Sequence, residues 1–195
     1  MRDEDMEGLL GAWLQAAGAG DRAAFEQLYR HFQPRLTRFI QRCCSRPHVV
    51  EEAVNDALWV VWKSAANFRG DSRVTTWAHG IAYRCMLKAL RDREVGQEIN
   101  ASAVPEAELA EAEPFFDDGP DRELRDWVRH GLATLSLEQR TTVELAYCQG
   151  ESCEEIARIM ACPSGTVKAR LVRAREKLKD VLPALAEAAV GTRGY

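Results

Sequence analysis

The sequence predicts an all-α chain: two small helical domains joined by an acidic flexible linker. Three observations carry this reading. Apolar residues recur at helical spacing through most of the chain, while strand-like alternation is sparse. Between Gln97 and Asp121 the character changes. Glu98, Glu106, Glu108, Glu111, Glu113, Asp117, Asp118 and Asp121 occur there without a Lys or Arg, among alanines, Pro105, Pro114, Gly119 and Pro120. Such a stretch has too little apolar surface to offset the entropy of folding. Finally, two short helical patterns separated by a tight break lie near the end of the chain, and the second is cationic.

Composition bounds the function. The chain has 195 residues, 46% of them hydrophobic and 29% charged, which is ordinary for a soluble globular protein. The formal net charge is -4, so a nucleic-acid binder of this composition must segregate its cations. No apolar run nears the ~20 residues that span a bilayer. The start, MRDEDMEGLL, lacks the basic opening and apolar centre of a signal peptide. A cytoplasmic protein without membrane insertion is expected, with reduced thiols. Cys44 with His48, or Cys148 with Cys153 and Cys162, are conceivable zinc ligands, but no CxxC pair exists. Free cysteines are more often small buried hydrophobes. Neither metal nor cofactor is expected. No nucleophile–base pair or phosphate loop stands out, so the expected mode is binding, not catalysis.

The elements follow in order. Residues 1–20 form an N-terminal segment, with a short helix over Leu9 to Ala17 ending near Gly18 and Gly20. Asp21 caps the next helix, whose buried face is Phe25, Leu28, Tyr29, Phe32, Leu36, Phe39, Ile40 and Cys43. Pro34 should kink it. A third helix runs from about His48 to Ala66, with Val50, Val54, Ala57, Leu58, Val61 and Ala65 as its core stripe. Glu52, Asp56, Trp59 and Lys63 fall on the opposite side. A tryptophan among charges there is folded back on its own helix, covered by the N-terminal segment, or part of a docking surface. NFRGDS, Asn67 to Ser72, is a loop with a Gly-Asp turn. The helix after it, about Val74 to Glu94, carries Trp77, Tyr83, Arg84, Lys88 and Arg91, with Arg69 and Arg73 just before. Aromatics interleaved with cations suit unpaired nucleic acid, rings stacking on bases and cations tracking phosphates. Trp77 and Ile81, four apart, suit a core equally well. After the linker, Leu124, Val128, Leu132 and Leu135 mark one helix, and Leu137 to Tyr147 the next.

The helix-turn-helix closes the second domain. Ile156, Ala157, Ile159 and Met160 line one face of a helix that Ser152 can cap. Ala161, Cys162 and Pro163 break the pattern. Ser164 is placed to cap the following helix, in which Val167, Leu171, Ala174 and Leu178 form a narrow inner stripe. Thr166, Lys168, Arg170, Arg173, Arg175 and Lys177 lie outside that stripe. They suit phosphates and base edges of a DNA groove, or simply a solvated basic face.

Four stretches together resemble a bacterial RNA polymerase sigma factor of the extracytoplasmic-function (ECF) group. DRAAFEQLYRHFQPRL and EEAVNDALWVVWKSAANFRGDSRVTTWAHGIAYRCMLKALR resemble its region 2. LATLSLEQRTTVELAYCQGESCEEIARIM and SGTVKARLVRAREKL resemble its region 4. The resemblance implies region 2 over 21–94, a linker over 95–121, region 4 over 122–183 and a tail over 184–195. It implies docking on the clamp helices of the largest subunit of core polymerase through Glu52, Asn55, Asp56, Trp59 and Lys63. It implies capture of melted bases of the downstream (-10) promoter element by Arg69, Arg73, Trp77, Tyr83, Arg84, Lys88 and Arg91. It implies reading of the upstream (-35) element by Ser164, Thr166, Lys168, Arg170, Arg173, Arg175 and Lys177. An anti-sigma partner is implied as well. The chain departs from the family at Glu52-Ala53-Val54-Asn55-Asp56, where Asp-Leu-x-Gln-Glu is usual, and at Arg84, where Asn is common. Ala161-Cys162 replaces a more usual Leu-Gly, so a less relaxed turn is expected there.

Two other classes fit parts of the sequence. A stand-alone helix-turn-helix regulator would bind duplex as a dimer without polymerase, but has no use for stacking rings near Trp77. A protein-binding adaptor would have no use for the cationic helix.

Overall fold

The computed structural model describes residues 3–99 and 122–191, which form helices and short connections without strands. Of the linker expected over 95–121, residues 95–99 are helical and 100–121 lie outside the described residues. The chain divides into two compact units, one built on the first four helices and the other chiefly on the last four.

In the first unit, α1 (Asp3–Gly18) is longer than the sequence pattern suggests. It belongs to the bundle, burying Leu10, Leu14 and Ala17 and packing on α2 (Arg22–Cys43). Asp21 caps α2 as expected, its carboxylate accepting from the Ala23 and Ala24 amides at 2.8 and 3.1 Å. The helix runs on through Pro34. Around the proline, the side chains of Arg35, Thr37 and Arg38 donate to the carbonyls of His31, Gln33 and Pro34. Leu28, Phe32, Leu36, Phe39, Ile40 and Cys43 are buried, but the expected stripe is wrong at its N-terminal end. Tyr29 is 43% exposed and Phe25 half-buried. Those rings lie at the flank, where Phe25 meets Trp62 with centroids 4.8 Å apart.

Pro47 opens α3 (Pro47–Ser64), a position where its missing N–H costs nothing. A 3-10 turn, Ala65–Asn67, follows. Its packing against the end of α1 requires Gly18, because a Cβ there would lie 2.8 Å from the Ala66 backbone nitrogen. The loop turns at Gly70, φ +77°, in the left-handed region that glycine enters freely. Helix α4 (Val74–Ile99) packs against α1, α2 and α3. With neighbours on three sides, its first three turns bury Val74, Thr76, Ala78, His79, Ile81, Ala82, Tyr83 and Met86.

In the second unit, α5 (Arg122–Ala133) and α6 (Leu137–Tyr147) both pack on α8 (Ser164–Gly191). Arg140 of α6 reaches back to the carbonyls of Leu132, Ala133 and Leu135 at 3.0–3.3 Å. It thereby satisfies acceptors that the end of α5 leaves open. Ser136 and Gln139 form a capping box at the start of α6. Ser152 and Glu155 do the same for α7 (Cys153–Met160), exchanging bonds at 3.2 and 2.8 Å. The turn into α8 is strained at Ala161, φ +51°, a left-handed conformation that an alanine rarely adopts. Ser164 is not the cap. The Pro163 carbonyl already accepts from the amides of Thr166 and Val167, so the helix starts earlier and Ser164 is inside its first turn.

Candidate nucleic-acid and protein interfaces

Helix α3 is sharply two-sided. Val50, Ala53, Val54, Ala57, Leu58 and Val61 are at most 5% exposed. On the other side Glu52, Asn55, Trp59 and Lys63 are exposed. Trp59 is 60% exposed, and Lys63 of its own helix lies over its ring, 4.8 Å from the centroid. Val60 beside it is 38% exposed. Asp56 differs from the rest of this face. It is half-buried toward α4, and its carboxylate accepts from Lys88 Nζ at 3.1 Å. That bond, and the charge behind it, holds the Lys88 ammonium pKa above its ordinary value. The proposed docking face and the proposed strand path thus share one ion pair. Burial first, then the Asp56 charge, pushes the nearby Cys85 thiol up, which disfavours a reactive thiolate there.

A pocket of about 230 Å³ opens at the loop before α4, lined by Asn67, Phe68, Arg69, Asp71, Ser72 and Trp77. Phe68 and Trp77 form its apolar wall, centroids 5.2 Å apart and tilted by 56°. Arg69, Asp71 and Ser72 bring hydrogen-bonding groups. An aromatic wall with a polar rim can hold a flat heteroaromatic ring by stacking and edge contacts. Of the residues expected here, Arg69, Arg73, Arg84, Lys88 and Arg91 are exposed and Trp77 is half-buried. Arg84, Lys88 and Arg91 recur at helical spacing along one side of α4. Tyr83 does not join them. It is 6% exposed, because the packed side of α4 is wider than a simple amphipathic stripe, so its ring has no face left for a base. Phe68, Asn67, Asp71 and Ser72 were not singled out from the sequence; an aromatic next to a Gly-Asp turn was the available signal.

In the second unit, Val167 and Ala174 are fully buried beneath α8, with Leu171 and Leu178 half-buried. Lys168 and Arg173 project into solvent, and Thr166 is half-buried. Gly165 is exposed, with open space where its side chain would be, which allows close approach of a backbone. The other cations are tied to neighbouring groups of the same unit. Arg170 is half-buried with Cys162 Sγ 3.6 Å from its guanidinium. Arg175 donates through Nε to the Tyr147 hydroxyl at 2.7 Å and lies 5.6 Å from that ring's centroid. Lys177 donates to the Thr134 carbonyl. The outer tip of the basic face is therefore Thr166, Lys168 and Arg173 at the start of α8. Among the described residues, no cluster of three or more His, Cys, Asp or Glu is placed to hold a metal ion.

Comparison with known proteins matches this geometry to a family. Residues 28–95 match the model for "Sigma-70 region 2" and residues 125–178 that for "Sigma-70, region 4". The ECF RNA polymerase sigma factor SigM of Mycobacterium tuberculosis is 34% identical over 169 residues, covering 87% of this chain and 82% of its own. The chain is an ECF RNA polymerase sigma factor. The ECF sigma-E factor of Escherichia coli is 31% identical over 176 residues, 83% of this chain and 87% of that protein. Among solved structures, the sigma factor RpoE of Bartonella quintana, crystallised with the anti-sigma factor NepR, superposes with a TM-score of 0.66. It is 25% identical, covering 82% of this chain and 96% of that one. CnrH, solved with the cytosolic domain of CnrY, shares the fold at a TM-score of 0.64, covering 90% of this chain and 98% of that one. In this sigma factor the region 2 match covers most of α2, all of α3 and most of α4, and the region 4 match covers most of α5, all of α6 and α7 and the first half of α8, so the two-domain helical expectation holds. The stand-alone regulator is not favoured. Among the described residues no helix is long and apolar enough to cross a membrane.

Proposed function

We propose that this sigma factor binds core polymerase through α3, captures a melted base of the downstream element at the Phe68–Trp77 pocket, and reads the upstream element as duplex with the tip of α8. The observation that carries the reading is Trp59. A tryptophan left 60% exposed opposite a fully buried stripe adds little to an isolated bundle and suits an interface anchor. Glu52 and Asn55 provide a polar rim around it. The pocket supplies stacking, and Arg84, Lys88 and Arg91 track the phosphates of the strand leading from it. Lys168 and Arg173 reach base edges or phosphates, and Thr166 a phosphate or a thymine methyl.

The action is binding rather than catalysis, carried out in the cytoplasm beside the polymerase. The RpoE relative is held by an anti-sigma factor, and a comparable antagonist is proposed here. The test is run-off transcription from a cognate promoter with purified core polymerase. Specific initiation is expected only with both proteins present, and duplex binding by the free sigma factor should be poor, because its net charge is -4. Tight, specific duplex binding without polymerase would overturn the reading.

A further inference from the structure

Helix α1 lies outside the matched region 2, which begins at residue 28, yet it grips the capture loop at both ends. At one end, the Glu7 carboxylate accepts from the Val74 amide and from the Thr75 hydroxyl, the latter at 3.1 Å. Arg73 Nε is 3.8 Å from the same carboxylate, whose side chain is only 19% exposed. A residue 67 positions away in sequence thus does the work of a helix cap, satisfying the Val74 N–H that begins α4 and placing negative charge at the positive end of its dipole. At the other end, Gly18 lets α1 close on the 3-10 turn, with Ala66 backbone atoms 2.8 and 2.9 Å from where a Cβ would be.

Both walls of the pocket hang on these two attachments. The Trp77 amide donates to the Arg73 carbonyl at 3.0 Å, so its ring follows the first turn that Glu7 holds. The Phe68 amide donates to the Ala65 carbonyl at 3.2 Å, so its ring follows the turn that Gly18 admits. Both attachments belong to one helix, α1.

We propose that α1 is a splint for the capture loop and that Glu7 is a positioning residue for base capture, acting through Arg73–Thr75 on Trp77. The proposal rests on the reading of the Phe68–Trp77 pocket as the base site. It differs from a general stabilising role in what it spares: docking on polymerase uses α3 and recognition of the duplex uses α8, so neither should depend on Glu7.

The experiment uses full-length protein reconstituted with core polymerase, on a promoter carrying 2-aminopurine in the non-template strand of the downstream element. Glu7→Ala, Glu7→Gln and Trp77→Ala are compared for core affinity, closed-complex affinity and rate of strand opening. Amide hydrogen exchange at residues 74–77 is followed in parallel. Glu7→Ala should slow opening by about tenfold or more, the range for a lost charge-assisted hydrogen bond, with core and closed-complex affinities unchanged and exchange at 74–77 faster. Glu7→Gln keeps one acceptor and should fall between Ala and wild type, which keeps the test valid where the Ala variant is poorly folded. Impaired opening in Trp77→Ala with normal opening in both Glu7 variants overturns the splint and leaves base capture standing. Normal opening in all three overturns base capture and with it the positioning role. Equal losses in opening and in core affinity mean that Glu7 only holds the fold, which also overturns the proposal.

Discussion

Replacing Trp59 with alanine separates the two roles a tryptophan on α3 can have. A tryptophan buries up to roughly 250 Å², so a ring 60% exposed leaves about 150 Å² for a partner to cover. At ~25 cal/mol per Å² that cover is about 4 kcal/mol gross. Ordering the side chain takes back about 0.5–1.5 kcal/mol, the lower figure being apt where Lys63 already sits over the ring at 4.8 Å. Some 2.5–3.5 kcal/mol remains, or about 70- to 400-fold in affinity for core polymerase. The loss should appear chiefly as faster dissociation. Folding should barely respond, because the contact with Lys63 is worth only about 0.5–1 kcal/mol. Leu58, next in sequence and 3% exposed, is the control, since Leu58→Ala should cost about 2–5 kcal/mol of stability. The assay pairs thermal melting of each variant with its association and dissociation rates on immobilised core polymerase. If Trp59→Ala melts as low as Leu58→Ala and keeps its polymerase affinity, Trp59 is a core residue and the docking face is elsewhere.

Other outcomes follow from the same geometry. Tyr83→Ala should lower stability by about 3–5 kcal/mol, as for a buried aromatic, whereas Trp77→Ala should cost about 1–3 kcal/mol in strand opening; thymine reactivity to permanganate together with melting curves distinguishes them. Arg173→Ala should lose about 1–3 kcal/mol on the upstream element if it meets a base edge, and Arg175→Ala less, because Tyr147 already holds that guanidinium; competition gel shifts of the holoenzyme measure both, and a larger loss at Arg175 would refute the ordering. Ala161→Gly should raise stability by roughly 0.5–1 kcal/mol, since relief of left-handed strain of ~1–2 kcal/mol exceeds the ~0.4–1 kcal/mol of added unfolded-chain entropy; a lower melting temperature would show that the turn is not strained. Burial, then Arg35, lowers the His31 pKa from 6.5 to about 4, so the fold favours its neutral form. Stability from this group is complete above pH 6.5 and is lost as the pH falls toward 4, so His31→Gln should flatten the melting temperature across that window, and an unchanged slope would refute it.

The sequence by itself determined the helices, the two-domain order and the family. Apolar spacing and capping residues act over one or two turns, so the stripes of α2 and α3, the Asp21 cap and the two helices around Pro163 could be read directly from neighbouring residues. The exposed side of α3 with Trp59 was legible for the same reason, being the complement of a clean stripe. Where several helices meet, the local pattern misled. Helix α4 touches three others, so Tyr83 went inward although its place among the cations of that segment suggested a shared surface. Tyr29 went outward because α2 ends its contacts at the flank. Arg170, Arg175 and Lys177 look like Lys168 and Arg173 in sequence; only the placement of Cys162, Tyr147 and Thr134 divides them. Only the tertiary structure decided that Asp56 and Lys88 would meet and that Glu7 would cap a helix 67 residues away. Such contacts depend on how whole helices stack, and helical periodicity records which side of a helix is buried but not which distant residue comes to lie against it.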